Sequence, residues 1–284
     1  MRAAADEDAE GVIAQARTMP TPDAVEFLLS KAAECRDRTP DAALKLCDEA
    51  LAASKRAFGD SRHPKVAACI MSVANVKSAQ GLHAEALLLY EEALAMRPGG
   101  EGWTSAQILA NMASAYAHLG DHAKALALDL DALALYRRDA EVPPAVLAMA
   151  LNNIGCTLDG RGQYSKAFPY YQEALEIWRR LAPPDQPAGR FAGTVVNAAI
   201  NLKLRGKLDD ALVLFNEGVA LQKTAQGDPS AAVAATLHNV ACTLADLGRA
   251  QEAARVGGEA LRMSEDVLGA EHAQTVAMAR RWRC

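Results

Sequence analysis

Residues 150–162 read ALNNIGCTLDGRG, an apolar run of small side chains with two adjacent amides, Asn152 and Asn153, at its middle and Gly162 at its end. Asparagine is a poor interior helix residue, because its short amide competes with the backbone for hydrogen bonds. Something other than helix propensity therefore selects the pair. The terminal glycine supplies the context. Gly81, Gly120, Gly162, Gly206 and Gly248 are separated by 39, 42, 44 and 42 residues, and self-similarity at a period of this size signals a helical array.

Small residues recur in register with those glycines. Five residues after each stands an alanine (Ala86, Ala125, Ala167, Ala211, Ala253), and seven further on another small residue: Ala93, Ala132, Ala174, Gly218, Ala260. Seven residues are two helical turns, so both lie on one face. Seven residues before each glycine comes a third small position, Ala74, Ala113, Gly155, Ala199 and Ala241, flanked by apolar residues such as Leu151 with Ile154 and Leu237 with Val240. Each unit is thus a helix A, a glycine turn and a helix B, with small residues where the two helices come close. A degenerate copy precedes these, with Ala43 and Ala50 at the helix-B positions and Arg38-Thr39-Pro40 at the turn, as suits a terminal repeat that meets water on one side. The pattern predicts helices at about 22–36, 41–58, 65–80, 83–96, 104–119, 122–137, 144–160, 164–181, 189–205, 208–225, 230–247, 250–267 and 272–283.

Composition narrows the possible functions. Apolar residues make up 51% and aromatics 5%, which suits close-packed helices with a substantial core. Net charge is −5 and no lysine or arginine block exceeds a pair, so the electrostatic footprint of a nucleic-acid binder is missing. The opening residues contain no signal-peptide run and nothing approaches a membrane span; a cytoplasmic location without a membrane partner is expected. Six cysteines (Cys35, Cys47, Cys69, Cys156, Cys242, Cys284) lack CxxC or zinc spacing and read as reduced thiols.

The pattern L-x-N-[IVM]-[AG]-x-x-[LY]-x-x-x-G-x-x-x-x-A resembles the tetratricopeptide repeat (TPR), and the period near 42 resembles the longer form found in kinesin light chains. Phe58-Gly59 with His63-Pro64-Lys65-Val66-Ala67, and Leu268-Gly269-Ala270-Glu271-His272, are similar to the joints of those proteins; Gly227-Asp228-Pro229 occupies the same place after the fifth repeat. The sequence departs from the pattern at the connectors Pro98-Gly99-Gly100 and Pro183-Pro184-Asp185-Gln186-Pro187, and the aromatic of the shorter form is mostly leucine, isoleucine or valine. The resemblance implies an all-α fold, a right-handed α-solenoid of about six helix pairs. Its expected parts are a flexible or partly helical lead over 1–21, an array over 22–271 with repeats at about 22–60, 65–100, 104–140, 144–183, 189–227 and 230–271, and a cap or truncated helix over 272–284.

In such arrays helix A lines the concave groove, so its variable positions are where a partner would be read. Nine residues before each turn glycine stand Ser72, Asn111, Asn153, Asn197 and Asn239. An amide offers both a donor and an acceptor, as a peptide backbone requires whatever its side chains. Such a ladder would hold an extended segment of another protein; equally, the amides could tie neighbouring helices and set the superhelical pitch. Neighbouring positions that would add specificity are Asn152 and His238, one residue before the ladder, and Asn75, Ser114, Cys156 and Cys242, three residues after it. Lys77 and Lys203 are nearly the only basic residues on helix A, which argues against a clamp for a terminal carboxylate.

Catalytic readings fare poorly. His238, Cys242 and Asp246 share a helical face, but Asp246 is about 12 Å along the helix from His238 and cannot orient its ring. His118 and His122 have metal-pair spacing interrupted by Gly120. No phosphate-binding loop, HExxH or similar motif occurs. A non-catalytic adaptor or scaffold without cofactor or metal is the expected function. The alternatives are an architectural subunit of a larger assembly, suggested by the ending Arg280-Arg281-Trp282-Arg283-Cys284, and the regulatory region of a longer multidomain protein.

Overall fold

A computed structural model describes residues 2–36, 38–59, 63–97, 103–182, 186–226 and 229–282. The connectors Pro98-Gly99-Gly100 and Pro183-Pro184-Asp185, the Gly227-Asp228 pair and the final Arg283-Cys284 lie outside the described residues. Among the described residues the chain forms fourteen α-helices and no strand. Every helix boundary expected from the repeat pattern falls within one residue of the observed one.

The chain divides into two compact units, Met1–Val142 and Pro143–Cys284. The first contains α1 (Arg2–Ala16), α2 (Thr21–Cys35), α3 (Pro40–Phe58), α4 (Pro64–Ala79), α5 (His83–Ala95), α6 (Trp103–His118) and α7 (His122–Arg138). Pairs α2/α3, α4/α5 and α6/α7 stack in order, and α1 packs on α2 and α3. Most of the expected lead is thus helix α1, with Ala9 and Ala16 buried and Val12 and Ile13 packed on the same core. The second unit contains α8 (Pro144–Gly160), α9 (Tyr164–Arg180), α10 (Ala188–Leu204), α11 (Leu208–Gln226), α12 (Ala231–Asp246), α13 (Ala250–Leu268) and α14 (Ala273–Trp282). Its pairs α8/α9, α10/α11 and α12/α13 stack likewise, with α14 on α13. Each unit is therefore a stack of helix pairs, the architecture of an α-solenoid.

The five turn glycines have φ between +69° and +83°, the left-handed region that residues with a Cβ avoid. Each closes a helix in the same way: the N–H of the next residue reaches back five positions to a carbonyl, as from Leu82 to Lys77 and from Lys207 to Leu202, both at 2.9 Å. This satisfies an otherwise orphaned helix-end carbonyl. The interhelical joints are built alike as well. Gly59 ends α3 at φ +75° and Gly269 ends α13 at φ +87°. His63 Nδ1 then accepts the N–H of Lys65, and His272 Nδ1 that of Gln274, at 3.2 and 3.3 Å.

Small residues sit where the A and B helices touch: the alanines at all three recurring positions are essentially inaccessible to solvent. Nine residues after the turn glycine, helix B carries a buried aromatic in three repeats, Tyr90, Tyr171 and Phe215. Tyr171 lies over Gly155, where a Cβ would stand 2.6 Å from the phenol ring. In the last repeat the equivalent residue is Gly257, and the space above it is filled by the indole of Trp282 from α14.

Gly155→Ala is expected to cost about 1–3 kcal/mol by overpacking, whereas Gly193→Ala, in a helix with nothing within 4 Å of the new Cβ, is expected to be neutral or to stabilise by up to about 1 kcal/mol. Urea denaturation of the two variants checks this; equal stability would contradict the close contact. Gly206→Ala, at φ +75°, is expected to cost about 1–2 kcal/mol and to lower Tm without changing the helical content at 20 °C or so.

Candidate functional site

The A-helix face of the first unit is built around Asn75. Its Oδ1 accepts hydrogen bonds from the Tyr90 hydroxyl at 2.7 Å and from Asn111 Nδ2 at 2.9 Å. One bond ties helix A to helix B of its own repeat, and the other ties it to helix A of the next. Burial pushes the Tyr90 phenol well above its ordinary range, which keeps it a donor. Ser72, the hydroxyl rung, turns back on its own helix and donates to the Ala68 carbonyl at 3.0 Å.

The second unit repeats this arrangement with other groups. Asn197 Nδ2 approaches Asn152 Oδ1 at 3.0 Å and Cys156 Sγ at 3.4 Å. Cys156 stands at the register position of Asn75, and Asn197 at that of Asn111, so the two amides brace their preceding A helices in the same direction. The Tyr171 hydroxyl lies 3.5 Å from Cys156 Sγ and donates to Asp159 Oδ2 at 2.9 Å. Asn201, fully buried, donates from Nδ2 to Asp159 Oδ1 at 2.6 Å and to the Tyr164 carbonyl at 3.0 Å. Burial raises the Asp159 carboxyl, while the bonds from Asn201 and Tyr171 act in the opposite direction. Asn153 is exposed, and its Oδ1 has only a long 3.5 Å approach from Asn152 Nδ2.

In the last repeat the bracing pattern stops. The residue that would receive Asn239 is Ile200, an apolar side chain, and among the described residues the half-buried Asn239 side chain makes no hydrogen bond. His238 points instead into the contact with α14. Its Nδ1 accepts from Trp282 Nε1 at 2.8 Å. The ring proton must then reside on Nε2, which lies 3.5 Å from Cys242 Sγ. Burial, together with the charges of Arg281 and Lys203, holds His238 below its ordinary pKa. Asp246 takes no part; it pairs with Lys203 at 3.2 Å.

Lys77 and Lys203 are both engaged, Lys77 with Glu85 at 2.7 Å and Lys203 with Asp246 at 3.2 Å. His118 does not pair with His122; its ring stacks on that of His83, centroids 4.5 Å apart. Among the described residues no three His, Cys, Asp or Glu side chains are placed to share a metal ion, and none of the five described cysteines is in a disulfide. None of the described helices is long and apolar enough to cross a membrane. A cavity of about 370 Å³ between α1, α2 and α3, rimmed by Arg17, Glu49 and Arg56, carries none of the amide positions.

The recurring bracing partner, six residues before the turn glycine, was readable as a register position but not as a bond, because its chemistry changes from amide to thiol. The buried aromatic nine residues after the glycine, which in Tyr90 and Tyr171 supplies a hydroxyl from helix B, had a sequence signal in Tyr90, Tyr171 and Phe215. Trp282 had none, since it fills the equivalent space from outside the repeat.

No curated protein sequence matches the chain. Among solved structures, the chain is similar to BtubC (BKLC) from P. vanneervenii, with TM-score 0.65 and 19% identity over 85% of this chain and 91% of that one. It is similar to a Podosopora anserina putative kinesin light chain with nearly identical TPR-like repeats, with TM-score 0.55 and 18% identity over 73% and 99%. NprR in complex with its cognate peptide NprX matches with TM-score 0.59 and 17% identity over 90% and 71%. At these identities the likeness is one of fold. One family model described as tetratricopeptide repeat matches residues 29–98 and 104–180, more than half of the chain, and a second of the same description matches 233–274. The chain belongs to the tetratricopeptide repeat family.

Proposed function

We propose that the protein is a non-catalytic adaptor that binds an extended peptide segment of a partner protein along its A-helix face. The observation that carries this reading is the division of labour within the amides. Asn111 and Asn197 direct their N–H groups to the preceding A helix, and among the described residues their Oδ1 atoms accept no hydrogen bond. Fixed in orientation by the brace, each oxygen is a preorganised acceptor for a peptide N–H. Asn153 and Asn239, at the same register position, retain both donor and acceptor.

The second unit carries Asn153, Asn197 and Asn239. With A helices about 10 Å apart and an extended chain advancing about 3.3 Å per residue, these rungs would meet about every third residue of a segment of about seven. Asn152, which has no amide counterpart in the other repeats, holds Asn197 and would help define the site. In the first unit Asn111, backed by Asn75, offers the same acceptor, and Ser72, turned onto its own helix, is a weak rung. His238 is drawn into the chain's own packing and is the least suited of the candidate positions to meet a partner. The fold-level likeness to NprR, whose structure contains its cognate peptide, supports a peptide as the ligand class. The repeats at about 22–60, 65–100, 104–140, 144–183, 189–227 and 230–271 are the units of this reading.

The test begins with a displayed library of random peptides selected on the full chain, followed by calorimetric titration of a selected synthetic peptide. Asn153→Ala with Asn239→Ala removes two rungs that hold nothing else together, and is expected to weaken binding about 5- to 150-fold, at about 0.5–1.5 kcal/mol for each lost bond, with helicity unchanged. Failure to select any peptide, or an unchanged Kd in the double variant, would overturn the reading.

A further inference from the structure

The contact between α14 and the last helix pair has the chemistry of a proton-controlled latch. Trp282 fills the space over Gly257, where any Cβ would collide with the indole. The ring of His238 meets it edge-on, with centroids 6.0 Å apart and planes at 77°. The one polar group of the indole, Nε1–H, is satisfied by His238 Nδ1 at 2.8 Å. That bond exists only while Nδ1 carries a lone pair. An imidazolium has N–H groups at both nitrogens, so protonation replaces an acceptor with a donor aimed at another donor.

We propose that α14 is held by an acid-released latch, in which protonation of His238 expels Trp282 from the Gly257 notch and frees the last helix. This goes beyond the peptide-binding reading and is independent of it.

The surroundings favour release once the proton arrives. From α10 Lys203 and from α14 Arg281 present positive charge toward His238. Asp246, the carboxylate two turns further along its own helix α12, is engaged by Lys203. Cys242, also on α12, faces Nε2 as a thiol whose ionisation burial opposes. From α13 Gly257 brings no charge. The sign of the pH dependence is fixed by these groups. A histidine whose pKa is lowered on folding contributes stability that is fully present above its unfolded value, about 6.5, and lost as pH falls through the lower folded value.

Incorporating 5-fluorotryptophan into the full chain gives one fluorine resonance for each of the three tryptophans, and that of Trp282 is identified by its loss in Trp282→Phe. Between pH 7.5 and 5 the Trp282 resonance is expected to move toward a solvent-exposed position with a midpoint below about 6.5. That of Trp178, buried and bonded to Thr194 at 3.0 Å, should stay fixed. His238→Gln, which retains an acceptor but does not titrate, is expected to abolish the movement. A Trp282 resonance that is insensitive to pH, or that titrates identically in His238→Gln, would overturn the proposal. Should that variant lose helicity, Gly257→Ala supplies the comparison: its Trp282 resonance should already sit at the acid position at pH 7.5, and a resonance unmoved from the docked position would refute the latch.

Discussion

The structure depends on how closely helix A and helix B of each repeat approach. Side chains no larger than a methyl group line that contact at three positions in each of the five glycine-turn repeats, and all of the alanines there are excluded from solvent. With so little side-chain volume between them, the helix backbones lie near one another and small changes of shape are strongly felt. The turn glycines serve the same constraint, since a helix reversed within a few residues needs a left-handed conformation at its end. Once those two conditions repeat, the stack of helix pairs follows.

Polar groups add a second level of order. Hydroxyls and amides tie the helices together along the A helices, and Asn201 does so from a fully buried position. Tyr90 and Tyr171 reach the A helices from helix B, and Asn111 and Asn197 reach across from one A helix to the preceding one. On the proposed reading, brace and recognition element are the same residue, with the donor turned inward and the acceptor left over. The two explanations for asparagine at this position, scaffold and peptide contact, need not compete.

The fold was legible in the sequence because it rests on residues whose roles are exclusive: glycine at positive φ, alanine where helices touch, histidine and proline at the joints. The helix start at His63-Pro64 and the matching His272 show the same economy of signal. The polar details were less legible because they depend on which of several hydrogen-bonding groups occupies a tolerant position. Asn75, Cys156, Ile200 and Cys242 share one register and form four different environments. His238 is the clearest case: its helical position aligns it with Asn152 on the A-helix face, yet its ring is claimed by Trp282, 44 residues later. No local pattern carries a contact formed by a helix that fills a missing side chain. Helix α1 was hidden for a related reason, since outside the repeat period no spacing marks it.

The most direct measurement of the central claim is to follow the side-chain amide resonances of the asparagines by nitrogen-15 NMR while a selected peptide is added to the full chain. Recognition along the A-helix face predicts that the Nδ2 resonances of Asn153 and Asn239 shift or broaden in proportion to occupancy, with a smaller response at the braced Asn197. Saturating peptide that leaves all three unchanged, while perturbing amides on the B helices, would contradict the account.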